Sequence, residues 1–295
     1  MRSLSFKVDV CTHDGMRDGV PRLLDLFAAH DVKASFFLSF GPDYSGRAIF
    51  NVFRPGFLRK MLKSGAPSLY GFRTMVSGTL LPSRMIASRY VGLVQRIDAE
   101  GHEVAVHAWN HRRWQDKLDR LDDYAIRVEF ESAFASYEMM LGRPARAYGA
   151  AAWTVTPESL AILDDFGLDY ASDLRGGPPC RLRHGERVFA TPQIPTTGPC
   201  IEELLVAGAD EAAMAAALLE DAAGPDLAVM AVHAEVEGGP YRDFFDGLLP
   251  RLKDGCDAIR PLREVAAELT DPPVVDLAFT ALPGRSGTVA TAARP

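Results

Sequence analysis

The sequence predicts an α/β fold of the (β/α)-barrel kind, and three observations carry that prediction. Short apolar segments alternate with amphipathic helical ones along nearly the whole chain, as parallel βα units do. The alternation yields seven or eight units within 295 residues and no linker interrupts it. No Gly-x-Gly-x-x-Gly run follows the first strand, which disfavours a doubly wound nucleotide-binding sheet.

Each element follows from local pattern. Residues 4–10 read as a buried strand ending in the polar run Asp9-Val-Cys-Thr-His-Asp-Gly15, and residues 20–30 carry Leu23, Leu24, Leu26 and Phe27 at helical spacing. Residues 34–39 form a second strand closed by Gly41-Pro42; helices follow at 54–63 and 83–99, with an irregular stretch between them. A strand at 103–107 precedes a long helix over 122–141, stopped by Gly142 with Pro144 beyond it. After a strand at 145–150, Thr156 caps a helix with Pro157 in its first position, and Gly167 ends it. Short strands at 170–172 and 189–194, a helix at 211–223 and the most apolar strand, 227–233, come next. Helices at 241–253 and 261–269 complete one barrel over residues 1–270, and the Pro-, Gly-, Ser- and Thr-rich tail 271–295 is expected to wrap it.

Composition excludes several classes. Hydrophobic residues at 47% and charged residues at 24% describe a globular chain rather than a disordered one. Cys11, Cys180, Cys200 and Cys256 form no Cys-x-x-Cys pair, so neither a disulfide scaffold nor a zinc ribbon is expected. No apolar run reaches the ~18 residues of a spanning helix, and residues 1–7 lack a signal peptide's apolar core, so a cytoplasmic location is expected. A net charge of −7 argues against nucleic acid as a partner. The charge is unevenly spread: residues 44–97 hold nine Lys and Arg and no Asp or Glu, interleaved with aromatic and aliphatic side chains. Such a stretch suits an anionic membrane surface or a phosphate with an apolar tail, while a solvated basic face over an ordinary core explains it as well.

In β/α barrels the chemistry sits at the C-terminal ends of the strands. Asp9, His107, Asp173 and His233 all fall there, and His111 lies four residues after His107. His107 and His111 form a candidate metal pair, four residues apart as on one helix face. Asp173 and Arg175 read as an ion pair that can orient a catalytic group. No Gly-x-Ser-x-Gly elbow or phosphate-cradling glycine loop occurs, which leaves metal-assisted hydrolysis as the reaction class.

Four motifs, Phe6-Lys-Val-Asp-Val-Cys-Thr-His-Asp14, His107-Ala-Trp-Asn-His111, Ser172-Asp-Leu-Arg175 and Val232-His-Ala-Glu-Val-Glu237, resemble those of NodB-type polysaccharide deacetylases. Phe40-Gly-Pro-Asp43, Ser68-Leu-Tyr-Gly71, Gly149-Ala-Ala-Ala-Trp153 and Gln193-Ile-Pro-Thr196 draw the likeness towards the undecaprenyl-phosphate 4-deoxy-4-formamido-L-arabinose deformylases. The resemblance runs from the first strand into the tail. It implies a distorted barrel of about seven βα units around one divalent metal ion, and hydrolysis of an N-formyl or N-acetyl group on a polyprenyl-phosphate-linked amino sugar at the inner membrane face. By position, Asp9 is the general base, His233 the general acid, and Cys11, His107 and His111 the metal ligands. Asp173 and Arg175 are candidates for fixing His233 and Asp9 respectively, and Tyr70, Trp109, Trp153 and Glu235 for contacting substrate.

Two positions depart from the family pattern. Cys11 replaces a metal-binding Asp, and Asn110 replaces the Asp before the second histidine. A thiolate ligand favours zinc over manganese or cobalt; His13 and Asp14 are the rival third ligands. The alternative functions are a deacetylase of soluble saccharides and a catalytically silent lipid-phosphate-binding homologue.

Overall fold

The computed structural model describes residues 2–46, 77–79, 82–285 and 287–293. Its main sheet is parallel and runs in the order β5-β4-β3-β2-β1-β8. These strands are β1 (Ser3–Val10), β2 (Ser35–Ser39), β3 (Glu103–Ala108), β4 (Ala147–Tyr148), β5 (Tyr170–Ala171) and β8 (Leu227–His233), and the short β9 (Ala258–Ile259) joins the start of β1. β1 shows why the sheet curls into a barrel wall. All eight of its residues are buried, yet the two faces differ in chemistry. Leu4, Phe6, Val8 and Val10 pack outward into the layer shared with the helices, where Phe6 stacks on Phe27 and meets Phe245 edge-on. The alternate side chains Ser5, Lys7 and Asp9 therefore point into the barrel. Its interior is filled by Phe37, Ala105, Ala147, Tyr170, Ile194 and Val229, with Leu262 and Val265 as a plug.

Among the described residues the sheet does not close strand to strand, as a regular barrel would; β5 and β8 are its edges. Residues 192–197, where a strand over 189–194 was expected, run between those edges as irregular backbone. Ile194 N donates to Ala171 O at 2.8 Å, and Thr197 N to Val229 O at 3.0 Å. Pro192 and Pro195 supply no N–H donor, so a regular ladder cannot form along this segment. The result is the distorted barrel.

The outer helices are α1 (Val20–Ala29), α2 (Val91–Ala99), α3 (His111–Lys117), α4 (Asp123–Leu141), α5 (Pro157–Leu163), α6 (Ile201–Ala207), α7 (Glu211–Ala223), α8 (Arg242–Asp254) and α9 (Leu262–Glu268); α3 and α6 were not expected from the sequence, and the others apart from α2 keep close to their expected bounds. α2 starts eight residues later than expected, after a 3₁₀ turn over Ala87–Arg89. The segment after Thr270 forms strands rather than a plain wrap. β10 (Val274–Ala281) and β11 (Thr288–Ala292) make an antiparallel hairpin, and β10 pairs in parallel with β6 (Arg181–His184), itself paired with β7 (Arg187–Val188). Tyr70, the expected helix at 54–63 and most of the basic stretch lie outside the described residues. Of the nine basic residues only Arg84, Arg89 and Arg96 are described; Arg84 pairs with Asp14, and Arg96 with Asp25 and Glu100.

Candidate metal centre

Cys11, His107 and His111 come together at the C-terminal rim, their ligand atoms all within 4.8 Å of one another. His107 sits at an irregularity in β3, where Leu38 pairs with Val106 but Ser39 pairs with Ala108. Its Nδ1 donates to the Gly149 carbonyl at 2.7 Å, which directs Nε2 towards the Cys11 sulfur 3.7 Å away. His111 is the first residue of α3, and the Asn110 side chain caps that helix by accepting from Arg113 N at 2.9 Å. The two histidines thus meet from a strand end and a helix start, not from one helix face as their spacing suggested. Burial pushes both imidazoles below their ordinary range, His107 to about 4, so they are neutral donors at pH 7. Burial also raises the Cys11 thiol well above its usual value, and Glu235 and Asp9 raise it further. A Cys–His nucleophile needs an electropositive setting, and this one is acidic. A thiol and two neutral imidazoles in a closed cluster fit a divalent cation, whose charge would ionise the sulfur.

Asp9 and His233 are register partners on β1 and β8, so their side chains stand side by side on the inner face. Lys7, one pleat earlier, donates from Nζ to both Asp9 oxygens, at 2.8 and 2.9 Å. Burial pushes the Asp9 carboxyl up, but Lys7, His107 and His233 together hold it below its ordinary value. His233 Nδ1 lies 3.1 Å from Glu202 Oε1, and Glu237 accepts the His233 backbone N–H at 2.8 Å. Burial alone would lower the His233 pKa; Glu202, Asp9 and Glu237 outweigh it and lift it to about 10. An ionised carboxylate and an imidazolium therefore flank the cluster.

No family model matches the chain. It is 34% identical to the probable 4-deoxy-4-formamido-L-arabinose-phosphoundecaprenol deformylase ArnD of Shewanella sediminis (strain HAW-EB3), over 96% of this chain and 92% of that protein. The chain belongs to this deformylase family. The family's members are hydrolases of amide bonds within the polysaccharide deacetylase group. The protein of the same name from Wigglesworthia glossinidia brevipalpis is 24% identical over 94% of this chain and 97% of its own length. In fold, the chain matches a probable polysaccharide deacetylase from Pseudomonas aeruginosa PAO1 with a TM-score of 0.60 at 15% identity, covering 90% of this chain and 89% of that one.

Against the partners expected from the sequence, the structure reassigns several. Asp173 does not reach for His233: it accepts from Ala150 N at 2.7 Å and Gln193 Nε2 at 2.9 Å, bracing the loop that carries Gly149, and burial raises its carboxyl to about 6. Arg175 does not hold Asp9 either; it binds Glu203 through both terminal nitrogens and donates to Gly198 O. Lys7 and Glu202 take those two roles. Glu235 is buried, and its Oε1 accepts from Cys11 N, Thr12 N and Thr12 Oγ1 and so shapes the loop after β1. Trp153 is 2% exposed, with Arg175 and Arg285 over its ring and His233 edge-on at 6.5 Å. Trp109 is half-buried against the core. The rival ligands are occupied elsewhere: His13 meets Asp14 at Nδ1 and Tyr90 at Nε2, and Asp14 also pairs with Arg17 and Arg84. Sequence reasoning missed Lys7, whose signal was its place two residues before Asp9 in a buried strand. It also missed Glu202, which no periodicity marks.

Proposed function

We propose that this chain removes the N-formyl group from a polyprenyl-phosphate-linked amino sugar at the inner face of the cell membrane, using one zinc ion held by Cys11, His107 and His111. The observation that carries the reading is the triad of donors flanked by a held carboxylate, Asp9, and a held imidazolium, His233. When bound, the divalent ion supplies a Lewis acid for the amide carbonyl and makes water nucleophilic at neutral pH. Asp9 takes the proton of the attacking water, and Lys7 keeps that carboxylate ionised and aimed until it does. His233 delivers its Nε2 proton to the departing amine, which leaves poorly without it, while Glu202 at Nδ1 favours the imidazolium and fixes the ring. The lipid-linked, formylated substrate is supported by the name of the 34% identical relative and by the basic-aromatic stretch at 44–97.

Cys11 favours a second reading, in which the chain keeps the fold and the lipid-phosphate surface without turnover. The test offers zinc-loaded protein two substrates, a polyprenyl-phosphate-linked formamido sugar and a soluble N-acetylated saccharide, and follows amine release. Release from the lipid-linked sugar alone supports the proposal. Release from the soluble saccharide alone supports a soluble-sugar deacetylase, and release from neither supports the silent reading.

A further inference from the structure

We propose that Arg285, at the tip of the C-terminal hairpin, is a positioning residue for the amide-hydrolysis site, clamping Trp153 and the first turn of α6 so that the wall behind His233 is held in place. The proposal rests on the role given to His233 above. Four observations converge on it. First, Arg285 Nη1 donates to Glu203 Oε1 at 3.1 Å, and its guanidinium lies 4.6 Å from the Trp153 ring centroid. Second, Arg175 covers the same ring at 4.5 Å and binds the same Glu203, so one carboxylate ties two guanidiniums to one indole. Third, the hairpin tip presses on α6: a Cβ at Gly284 would come within 2.6 Å of Glu203 O, and Gly284 has φ of +79°. α6 also carries Glu202, the partner of His233.

The fourth observation says why a clamp is needed. Ala152 and Trp153 have φ of +56° and +53°, two successive non-glycine residues in the left-handed region. Such backbone persists only where its surroundings over-determine it, and it clusters at functional sites. Here the surroundings are the two guanidiniums and Thr196, whose Oγ1 accepts from Trp153 Nε1 at 3.1 Å. Trp153 in turn presents its edge to His233. Arg285 therefore acts on the reaction through Trp153 and Glu203.

The test uses the full-length zinc-loaded protein and compares wild type with Arg285→Ala and Arg285→Lys, each also made in a Trp153→Phe background. Three quantities are read: tryptophan emission, zinc content, and kcat and KM for amine release. Arg285→Ala should lower kcat ten- to a hundredfold, by roughly the effect of a misplaced catalytic group, with KM changed by less than about twofold and zinc content unchanged. Its emission should differ from wild type only while Trp153 is present. Arg285→Lys, which keeps a cation over the ring, should recover part of kcat; it also carries the comparison should the alanine variant not fold. Unchanged emission, or an emission change that survives in the Trp153→Phe background, overturns the clamp whether or not the protein hydrolyses amides. An active wild type whose kcat is untouched by Arg285→Ala overturns it equally.

Discussion

At the scale of single residues, the site is a set of charges that tolerate burial only in pairs. Lys7 is fully buried and Asp9 nearly so, and each satisfies the other. His233 and Glu202 form a second close pair, with Nδ1 and Oε1 3.1 Å apart, and this pair gives a pH signature. The folded His233 pKa, about 10, lies above the unfolded value of about 6.5. The pair's contribution to stability is therefore complete below about pH 6.5 and lost as pH rises through about 10. Glu202→Gln should thus destabilise the protein more at pH 7 than at pH 10.5 in urea titrations, and should move the alkaline limb of kcat/KM to lower pH. An alkaline limb that stays in place would show that Glu202 does not hold the proton on His233. His233→Ala should keep its zinc and lose about 10²- to 10⁴-fold in turnover, the range for a missing general acid; loss of zinc in that variant would make His233 a ligand instead.

At the scale of elements, the rim depends on how closely the loop after β1 approaches the loop after β8. A Cβ at Gly19 would fall 1.9 Å from the Ala234 carbonyl oxygen, a backbone atom that cannot swing aside. Gly19→Ala should cost about 1–3 kcal/mol as an overpacking change and disturb Cys11 and His233 together; a thermal midpoint and zinc affinity equal to wild type would deny that contact. The legible elements were those whose signals are local. The α4 boundaries followed from Asp122, which caps Ala125 N, and from Gly142 in the left-handed conformation. The β8 strand was plain from its apolar run. What stayed hidden depends on long-range pairing: residues 192–197 bridge two edges without a ladder of their own, and the β10–β11 hairpin lies among Pro272, Pro273, Pro283 and Gly284, which read as loop. The same limit explains the site. Strand ends located Asp9, His107 and His233, whereas the partners of Asp173 and Arg175 come from residues 20 and 28 positions away in sequence, which no local rule pairs.

At the scale of the whole molecule, no helix among the described residues is long and apolar enough to cross a membrane, and the proposed lipid-linked substrate is tested at the surface. Arg84 and Arg96 are paired with carboxylates, but each basic residue of 44–97 that faces an anionic bilayer should add about 1 kcal/mol, so vesicles rich in anionic lipid should sediment the protein and release it as salt rises. Equal binding to neutral vesicles would remove this support for the lipid-linked substrate. The central claim is that Cys11 completes a working metal centre. The most direct measurement is zinc content together with amine release from the lipid-linked formamido sugar, for wild type, Cys11→Ser and Cys11→Asp. Wild type should hold one zinc per chain and turn over, Cys11→Ser should lose both, and Cys11→Asp should show no activity that wild type lacks. Full zinc in Cys11→Ser, or turnover that appears only in Cys11→Asp, would contradict that claim.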